Sequence, residues 1–138
     1  MAVLYLVSAG TEVDMQGRET ILLAEDDRLV RDATVAILEY GGYRVIIAKN
    51  GQEAVRQFRE NSVDMLLFDV IMPVMNGVEA YRIIKDIAPH VRILFTSGYT
   101  DEVLDRELIK SKDVRLLHKP VPPDTLLRAV REVLGVCL

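Results

Sequence analysis

The chain has 138 residues, of which 50% are hydrophobic and 28% charged, a composition typical of one globular domain with a hydrophobic core. Its net charge of −4 argues against direct nucleic-acid binding, which needs a basic face. The sequence has one cysteine, no apolar run of the roughly 18 residues that a membrane span needs and no basic leader of a signal peptide, so we expect a cytoplasmic domain without membrane contact.

Short apolar runs alternate along the chain with segments of helical periodicity. The predicted strands are Ile21–Ala24, Tyr43–Ala48, Val63–Phe68, Val91–Thr96 and Val114–Leu117. The predicted helices are Asp27–Glu39, Gln52–Glu60, Val78–Ala88, Asp101–Ser111 and Pro123–Leu134. This β-α alternation predicts an α/β domain with a parallel sheet and helices on both faces. Residues 1–18 precede the pattern and are interpreted as an N-terminal extension or the remnant of a preceding domain, with the domain itself at residues 19–138.

The first predicted strand runs directly into three acidic residues, Glu25, Asp26 and Asp27. Two unit charges about 4 Å apart repel by roughly 4 kcal/mol at an effective dielectric constant near 20, so this arrangement needs compensation. One interpretation is a helix start, because a helix N-terminus favours acidic side chains. The other is that the acids surround a cation, and this stretch alone leaves both interpretations open.

The third predicted strand is followed by another acid, Asp69. It has no helix to cap, because the next helix begins only after Pro73 and the Asn76-Gly77 turn signal, where we expect a positive φ at Gly77. In an open α/β sheet, ligands bind outside the carboxyl ends of the strands. The first and third strands therefore bring several carboxylates to one edge, and such hard oxygen ligands suit Mg²⁺.

The fourth and fifth strands add polar residues at the same edge. Ser97 offers a hydroxyl group to a ligand oxygen, and Thr96 is the neighbouring candidate, since strand alternation directs only one of the two at the site. Lys119 is a point charge that can pair with a carboxylate or with a phosphate. The bond between Lys119 and Pro120 is a candidate cis peptide.

Four segments, "ILLAEDD", "MLLFDVIMPVMNG", "ILFTSGYTD" and "LLHKPV", resemble in order and spacing the receiver domain of bacterial two-component response regulators. The resemblance covers about residues 19–135. It implies a doubly wound flavodoxin-like fold with strand order 2-1-3-4-5. It also implies a phosphoacceptor signalling module, which catalyses its own Mg²⁺-dependent phosphorylation and dephosphorylation and is not a conventional enzyme. The segment before the first strand resembles the join between the ATP-binding domain and the receiver of a hybrid sensor histidine kinase, which is the origin we favour.

Carried over residue by residue, the resemblance implies that Asp69 accepts a phosphoryl group from a phosphohistidine. The donor is then a histidine kinase or a histidine phosphotransfer domain. Asp26 ligates Mg²⁺ directly, Glu25 contributes directly or through water, and the backbone carbonyl of Ile71 completes the protein ligands. Asp27, one residue past the acidic pair, is expected to start the first helix outside the metal shell.

The resemblance also implies how the phosphoryl group is bound and read out. Ser97 contacts the group and moves toward it, while Lys119 pairs with its oxygens. The added charge biases a two-state element that controls a downstream protein or an attached domain. The family often carries an aromatic residue in the fifth strand that flips with the switch. Leu116 stands at that position here, so Tyr99, two residues after Ser97, is the other candidate to carry the signal or to line the site.

Three other functions have to be weighed against this one. A Mg²⁺-dependent phosphatase similar to the haloacid dehalogenase superfamily needs a second acid two residues after the nucleophile, where Ile71 stands. A flavin-binding flavodoxin-like protein needs a phosphate loop rich in hydroxyl groups and glycine after the first strand, where three acids stand. A degenerate receiver that acts only as a docking domain is disfavoured by the intact set of polar residues at the strand ends, which comprises Asp26, Asp69, Ser97 and Lys119.

Overall fold

The computed structural model describes residues 18–98, 108 and 110–135. Five strands form one parallel sheet in the order β2-β1-β3-β4-β5, so the predicted doubly wound fold is confirmed. The strands are β1 Thr20–Ala24, β2 Arg44–Ala48, β3 Met65–Asp69, β4 Ile93–Ser97 and β5 Val114–His118. The helices in these ranges are α1 Arg28–Tyr40, α2 Gly51–Glu60, α3 Gly77–Ile87 and α4 Pro123–Leu134. In the part of the chain that is described, no helix is long and apolar enough to cross a membrane.

The predicted strands and these helices agree with the structure to within one or two residues at each end. Strands β3 and β4 each extend one residue further than predicted, so Asp69 and Ser97 are the last residues of strands. Three predictions fall wholly or largely outside the described residues and stay predictions. They concern Tyr99, the helix over Asp101–Ser111 and the extension at residues 1–18.

The sheet separates two hydrophobic cores, because successive residues of a strand face opposite sides. Leu22 and Leu66 belong to the core under α2 and α3, whereas Leu23 and Leu67 belong to the core under α1 and α4. All of β3 is buried, as expected for a strand covered on both faces. Full burial of one leucine side chain contributes about 1.5–3 kcal/mol, so the two central strands present their carboxyl ends on a rigid support.

Helices α1, α2 and α3 are each capped at the N-terminus by a polar side chain, whereas α4 begins after Pro122 without a side-chain cap. The Asp27 carboxylate accepts hydrogen bonds from the N–H groups of Leu29 and Val30, as predicted for a residue that starts α1. Asn76 caps α3 and forms a reciprocal capping box with Glu79.

The expected positive φ at Gly77 is wrong, because the Asn-Gly pair supplies the cap and the first residue of α3 instead of a turn. The positive φ of this loop lies at Val74, with a value of 70°.

Gly77 lies where the start of α3 crosses the end of β3. Its N–H donates to the carbonyl of Val70 at 2.9 Å. A Cβ atom built on Gly77 would lie 2.2 Å from the carbonyl oxygen of Asp69. Glycine is therefore required here for close approach of two backbone segments, one of which carries the acidic end of β3.

We expect Gly77→Ala to lower the free energy of unfolding by about 2 kcal/mol or more, because the added methyl group must displace backbone. Urea denaturation followed by circular dichroism measures the change. Gly98→Ala is the matched control, since a Cβ atom there meets nothing closer than the Lys119 side chain at 3.9 Å, and it should stay within roughly 0.5 kcal/mol of wild type. Equal losses in the two variants would contradict the close-approach argument.

Candidate functional site

Three carboxylates converge at the carboxyl edge of the sheet. Glu25 and Asp26 follow β1, and Asp69 ends β3, which pairs with β1. Each of the three offers one oxygen atom, and these atoms all lie within 4.8 Å of one another. Glu25 and Asp69 are buried, whereas Asp26 is exposed. The structure thus brings together acids that are separated by about forty positions in sequence, and leaves one side of the cluster open to solvent.

Lys119 introduces a positive charge into this cluster. Its Nζ atom lies 2.6 Å from Oε1 of Glu25 and 3.2 Å from Oδ2 of Asp69. The backbone N–H of Lys119 donates to the carbonyl of Ser97 at 2.8 Å, so β4 holds the residue in place. The peptide bond between Lys119 and Pro120, a candidate cis bond in the sequence, is cis. Charge-assisted hydrogen bonds of this kind are the stronger ones in proteins, and they link β1, β3 and the end of β5.

Burial dominates the electrostatics of the two inner acids. Desolvation raises the pKa of Glu25, the hydrogen bond from Lys119 lowers it, and the charge of Asp69 raises it again, so that the pKa lies above its ordinary value of 4.5. Desolvation also raises the pKa of Asp69 above 3.8, although the charge of Lys119 and a backbone hydrogen bond from Ile71 oppose the rise. One ammonium group therefore compensates the two buried carboxylates only in part.

Lys119 itself is stabilised in its charged form. Burial alone lowers its pKa, but the hydrogen bond to Glu25 and the charges of Asp69 and Glu25 outweigh burial and raise the pKa above 10.5. The raised pKa of Lys119 is consistent with the raised pKa values of Glu25 and Asp69, because two carboxylates stabilise the ammonium group while one ammonium group is shared between two carboxylates. The residual negative charge, with three carboxylate oxygens close together, fits a hard divalent cation such as Mg²⁺.

The neighbouring residues of β4 and the loop after β3 complete the site. Ser97 is 3% exposed at the end of β4. Thr96 lines a groove beside Lys119 on the α1 and α4 side of the sheet, so strand alternation separates Thr96 from Ser97. Ile71 lies two residues past Asp69 and is 39% exposed, with its backbone bonded to the acid.

Leu116 lies behind the site rather than in it. It pairs with Phe95 across β4 and β5 and packs, partly buried, against the core under α2 and α3. In that core the rings of Tyr81 and Phe95 meet edge to face, with centroids 5.7 Å apart. The fifth-strand position at which the resembled family often carries an aromatic residue is therefore aliphatic here, and it lies next to an aromatic pair from other elements.

Arg31, in α1, is a site residue that the sequence analysis missed. It is 8% exposed, and its Nη1 atom donates to the carbonyl groups of Glu25 at 3.0 Å and Asp26 at 3.3 Å. The available signal was its spacing, because Arg31 lies four and seven positions before Val35 and Leu38, on the apolar face of the first helix.

A second missed feature is an apolar rim beside the acids. Leu29 is 81% exposed and Val30 is 36% exposed. Both line a groove of about 550 Å³ that runs between α1 and the segment after β5 and reaches Glu25 and Lys119. Single exposed apolar residues are common on protein surfaces, so the sequence did not distinguish these two.

Comparison with known proteins relates this chain to receiver domains. Residues 21–131 match the family model described as response regulator receiver domain. The response regulator receiver protein CpdR of Brucella abortus is 34% identical over 114 residues, which are 83% of this chain and 95% of that protein. The sensor kinase CckA of the same organism is 34% identical over 123 residues, which are 88% of this chain and 13% of the kinase.

The fold comparison agrees with the sequence matches. A crystal structure of a response regulator receiver domain protein from Clostridium thermocellum superposes with a TM-score of 0.78 at 28% identity. The match covers 85% of this chain and 94% of that one.

We expect Asp69→Asn to stabilise the metal-free domain at pH 7 by roughly 1 kcal/mol, the lower end of the Coulomb energy of two like charges about 4 Å apart. The pKa of Asp69 is higher in the folded state than its ordinary value of 3.8. The folded state therefore binds a proton more readily than the unfolded state, and wild type gains stability as the pH falls from the folded-state pKa to the unfolded-state pKa. The advantage of the variant should therefore shrink at acidic pH.

Urea unfolding in EDTA across this pH range measures the difference between the two proteins. Asp86→Asn, which changes an exposed carboxylate of α3, is the control and should leave stability unchanged. A destabilising effect of Asp69→Asn in EDTA would show that Lys119 compensates the acid in full.

Proposed function

The chain belongs to the response regulator receiver domain family, and on that premise we propose that Asp69 is the phosphoryl acceptor of this phosphoacceptor signalling module. The observation that carries the proposal is the surroundings of its carboxylate. Asp69 ends a central strand and is 8% exposed. Lys119 Nζ lies 3.2 Å from its Oδ2, and oxygens of Glu25 and Asp26 lie within 4.8 Å. A carboxylate held in this way can act as a nucleophile toward phosphorus.

In the proposed step an oxygen of Asp69 forms a bond to phosphorus while the phosphorus–nitrogen bond of a phosphohistidine breaks. The imidazole leaves with the electron pair of that bond and takes up a proton from solvent, and Asp69 becomes an acyl phosphate. Such transfers pass through a loose transition state, so the protein contributes positioning and charge compensation. The Lys119 ammonium group lies within reach of the transferred oxygens and offsets their charge.

Receiver domains bind Mg²⁺ at an acidic pocket, and the cluster of Glu25, Asp26 and Asp69 has that character. We assign direct ligation to Asp26 and Asp69 and to the backbone carbonyl of Ile71. Glu25 contributes through water, because its Oε1 already accepts from Lys119 and its Oε2 from the Asp27 N–H at 3.2 Å. When bound, Mg²⁺ supplies positive charge against the phosphoryl oxygens.

Readout begins in this proposal at Ser97, which contacts the phosphoryl group and moves toward it. Phe95 precedes Ser97 by two residues, on the same face of β4, and packs against Tyr81. A shift of Ser97 is thereby transmitted into the core that Leu116 borders. The aliphatic Leu116 excludes an aromatic flip at its own position, so the signal passes through the β4 residues or through Tyr99, which lies outside the described residues.

Receiver domains interact with histidine kinases or phosphotransfer partners, and we propose that the apolar rim is where such a partner docks. Leu29 and Val30, the two residues of this rim, are 81% and 36% exposed and line the groove that reaches Glu25 and Lys119. A donor histidine must approach Asp69 from outside, so its protein covers the surface around the acids. Exposed apolar residues next to a groove are typical of such interaction sites.

The hybrid-kinase origin stays a prediction. Its support is the similarity to CckA, of which this chain matches 13%. The equally similar CpdR is matched over 95% of its length, so both arrangements, receiver within a kinase and receiver alone, occur among the relatives.

Incubation with acetyl phosphate and Mg²⁺ should add one phosphoryl group to the wild-type chain, measured as intact mass. We expect no addition to Asp69→Asn and none to wild type in EDTA, because the acceptor or the charge compensation is then missing. Asp86→Asn should label like wild type. Labelling of Asp69→Asn at the wild-type level would refute the assignment of the acceptor.

A second prediction concerns docking. Leu29→Arg should lower the rate of transfer from a phosphorylated histidine phosphotransfer domain, relative to the rate with acetyl phosphate, by about tenfold or more, since a charge at the centre of an apolar contact costs about 2 kcal/mol. The donor is one selected for transfer to wild type. Tyr40→Arg changes a residue of the same helix that is 83% exposed at its far end, and it should leave the ratio unchanged. If Leu29→Arg lowers the rates with the phosphotransfer domain and with acetyl phosphate equally, the defect lies in the acidic site and the docking proposal is wrong.

A further inference from the structure

Arg31 is a buried cation that the proposed reaction leaves unused. It lies in the first turns of α1 and is 8% exposed. Burial of a guanidinium group is costly unless its donors are hydrogen-bonded. Its Nε atom is buried without a partner among the described residues, so the side chain is not arranged for the best stability. An unbranched apolar side chain such as methionine avoids that cost, so we ask what the guanidinium group does here.

The role of the guanidinium group follows from the two carbonyl groups that accept hydrogen bonds from its Nη1 atom. Helical side chains lean toward the N-terminus of their helix, and this lean carries the guanidinium group of Arg31 back to the segment that precedes α1. There it donates to the carbonyl of Glu25 at 3.0 Å and to the carbonyl of Asp26 at 3.3 Å. These two carbonyls belong to the two peptide units on either side of the Asp26 Cα atom. One nitrogen atom thus restrains both peptide planes that set the direction of the Asp26 side chain.

Asp26 needs such a restraint more than the other acids do. Glu25 and Asp69 are buried and bonded to Lys119, so packing and ion pairs orient their carboxylates. Asp26 is exposed, and its orientation depends on the backbone. On the other side of the segment, the Glu25 N–H donates to the carbonyl of Ala48 at 3.1 Å and Asp27 caps α1. The hydrogen bonds from Arg31 are a further restraint on the same segment.

We propose that Arg31 is a positioning residue of the metal site, which sets the affinity for Mg²⁺ by holding the backbone on both sides of Asp26. The inference rests on the proposed function, because it takes the acidic cluster as the place where Mg²⁺ binds. Mg²⁺ demands near-octahedral geometry from its ligands. Residues that orient metal ligands without touching the metal typically change affinity by about 10- to 100-fold when they are replaced.

The test compares Mg²⁺ binding by wild type, Arg31→Met and Arg31→Lys, measured by isothermal titration calorimetry. Methionine keeps the unbranched stem of arginine as far as the position of Nε and removes every donor, and lysine keeps the charge without the fork of nitrogen atoms. We expect the Kd for Mg²⁺ to rise about tenfold or more in Arg31→Met and by a smaller factor in Arg31→Lys. Arg28→Met is the control, because Arg28 lies on the same helix and pairs with Asp32 at the surface, and it should leave the Kd unchanged.

Phosphorylation provides a second readout that a purely structural role would not produce. The rate of labelling by acetyl phosphate should fall in Arg31→Met at low Mg²⁺ and recover at saturating Mg²⁺, since Asp69 and Lys119 are untouched. A Kd within twofold of wild type in both variants would overturn the inference. So would a rate that stays low at saturation, or loss of the folded circular dichroism spectrum in both variants. If wild type itself binds no Mg²⁺, both this inference and the metal assignment of the proposed function fail. If wild type binds Mg²⁺ and the variants bind it equally well, only this inference fails.

Discussion

A single ammonium group joins the elements that meet at the acidic edge of the sheet. Lys119 Nζ lies 2.6 Å from Glu25 and 3.2 Å from Asp69, and its partners come from β1 and β3 while it follows β5. Two carboxylates buried side by side would otherwise repel each other and lose their hydration without compensation. The position of Lys119 is in turn fixed by its backbone bond to Ser97. The residues proposed for chemistry and for readout are therefore connected through one side chain and its main chain.

The compensation is incomplete, and that incompleteness suits the function. Burial keeps the pKa of both Glu25 and Asp69 raised although the lysine is present. In the proposed function, the repulsion between these carboxylates in the metal-free domain is relieved when a divalent cation binds, so it adds to the affinity for the cation. Functional sites commonly retain such locally destabilising arrangements at the expense of stability. The rigid strands and the capped helix starts supply the stability that tolerates it.

This chain shares the receiver architecture, and two of its residues at or behind the acidic site bear on mechanism. The side chain of Glu25 is long enough to reach Lys119 and the Asp27 amide together. Leu116 stands where an aromatic residue is frequent, and the Tyr81–Phe95 pair lies in the core that it borders. In the proposed function, Glu25 bears on how the metal is held and Leu116 on how the phosphorylated state is passed on. The strand order matches that of the family.

The sequence by itself determined the alternation of elements, the parallel sheet and the approach of Glu25, Asp26 and Asp69, because periodicity is local and the carboxyl ends of parallel strands share one edge. The resemblance to receiver domains added the strand order and the roles of the residues. Only the tertiary structure decided that Gly77 begins a helix, since the Asn76-Gly77 pair fits both a turn and a cap until α3 packs on β3. It alone decided that Arg31 bonds the backbone of the acidic segment, and that Lys119 contacts a residue 94 positions away. Such contacts depend on how far a side chain reaches once distant elements have packed, and no local pattern of residues encodes that distance.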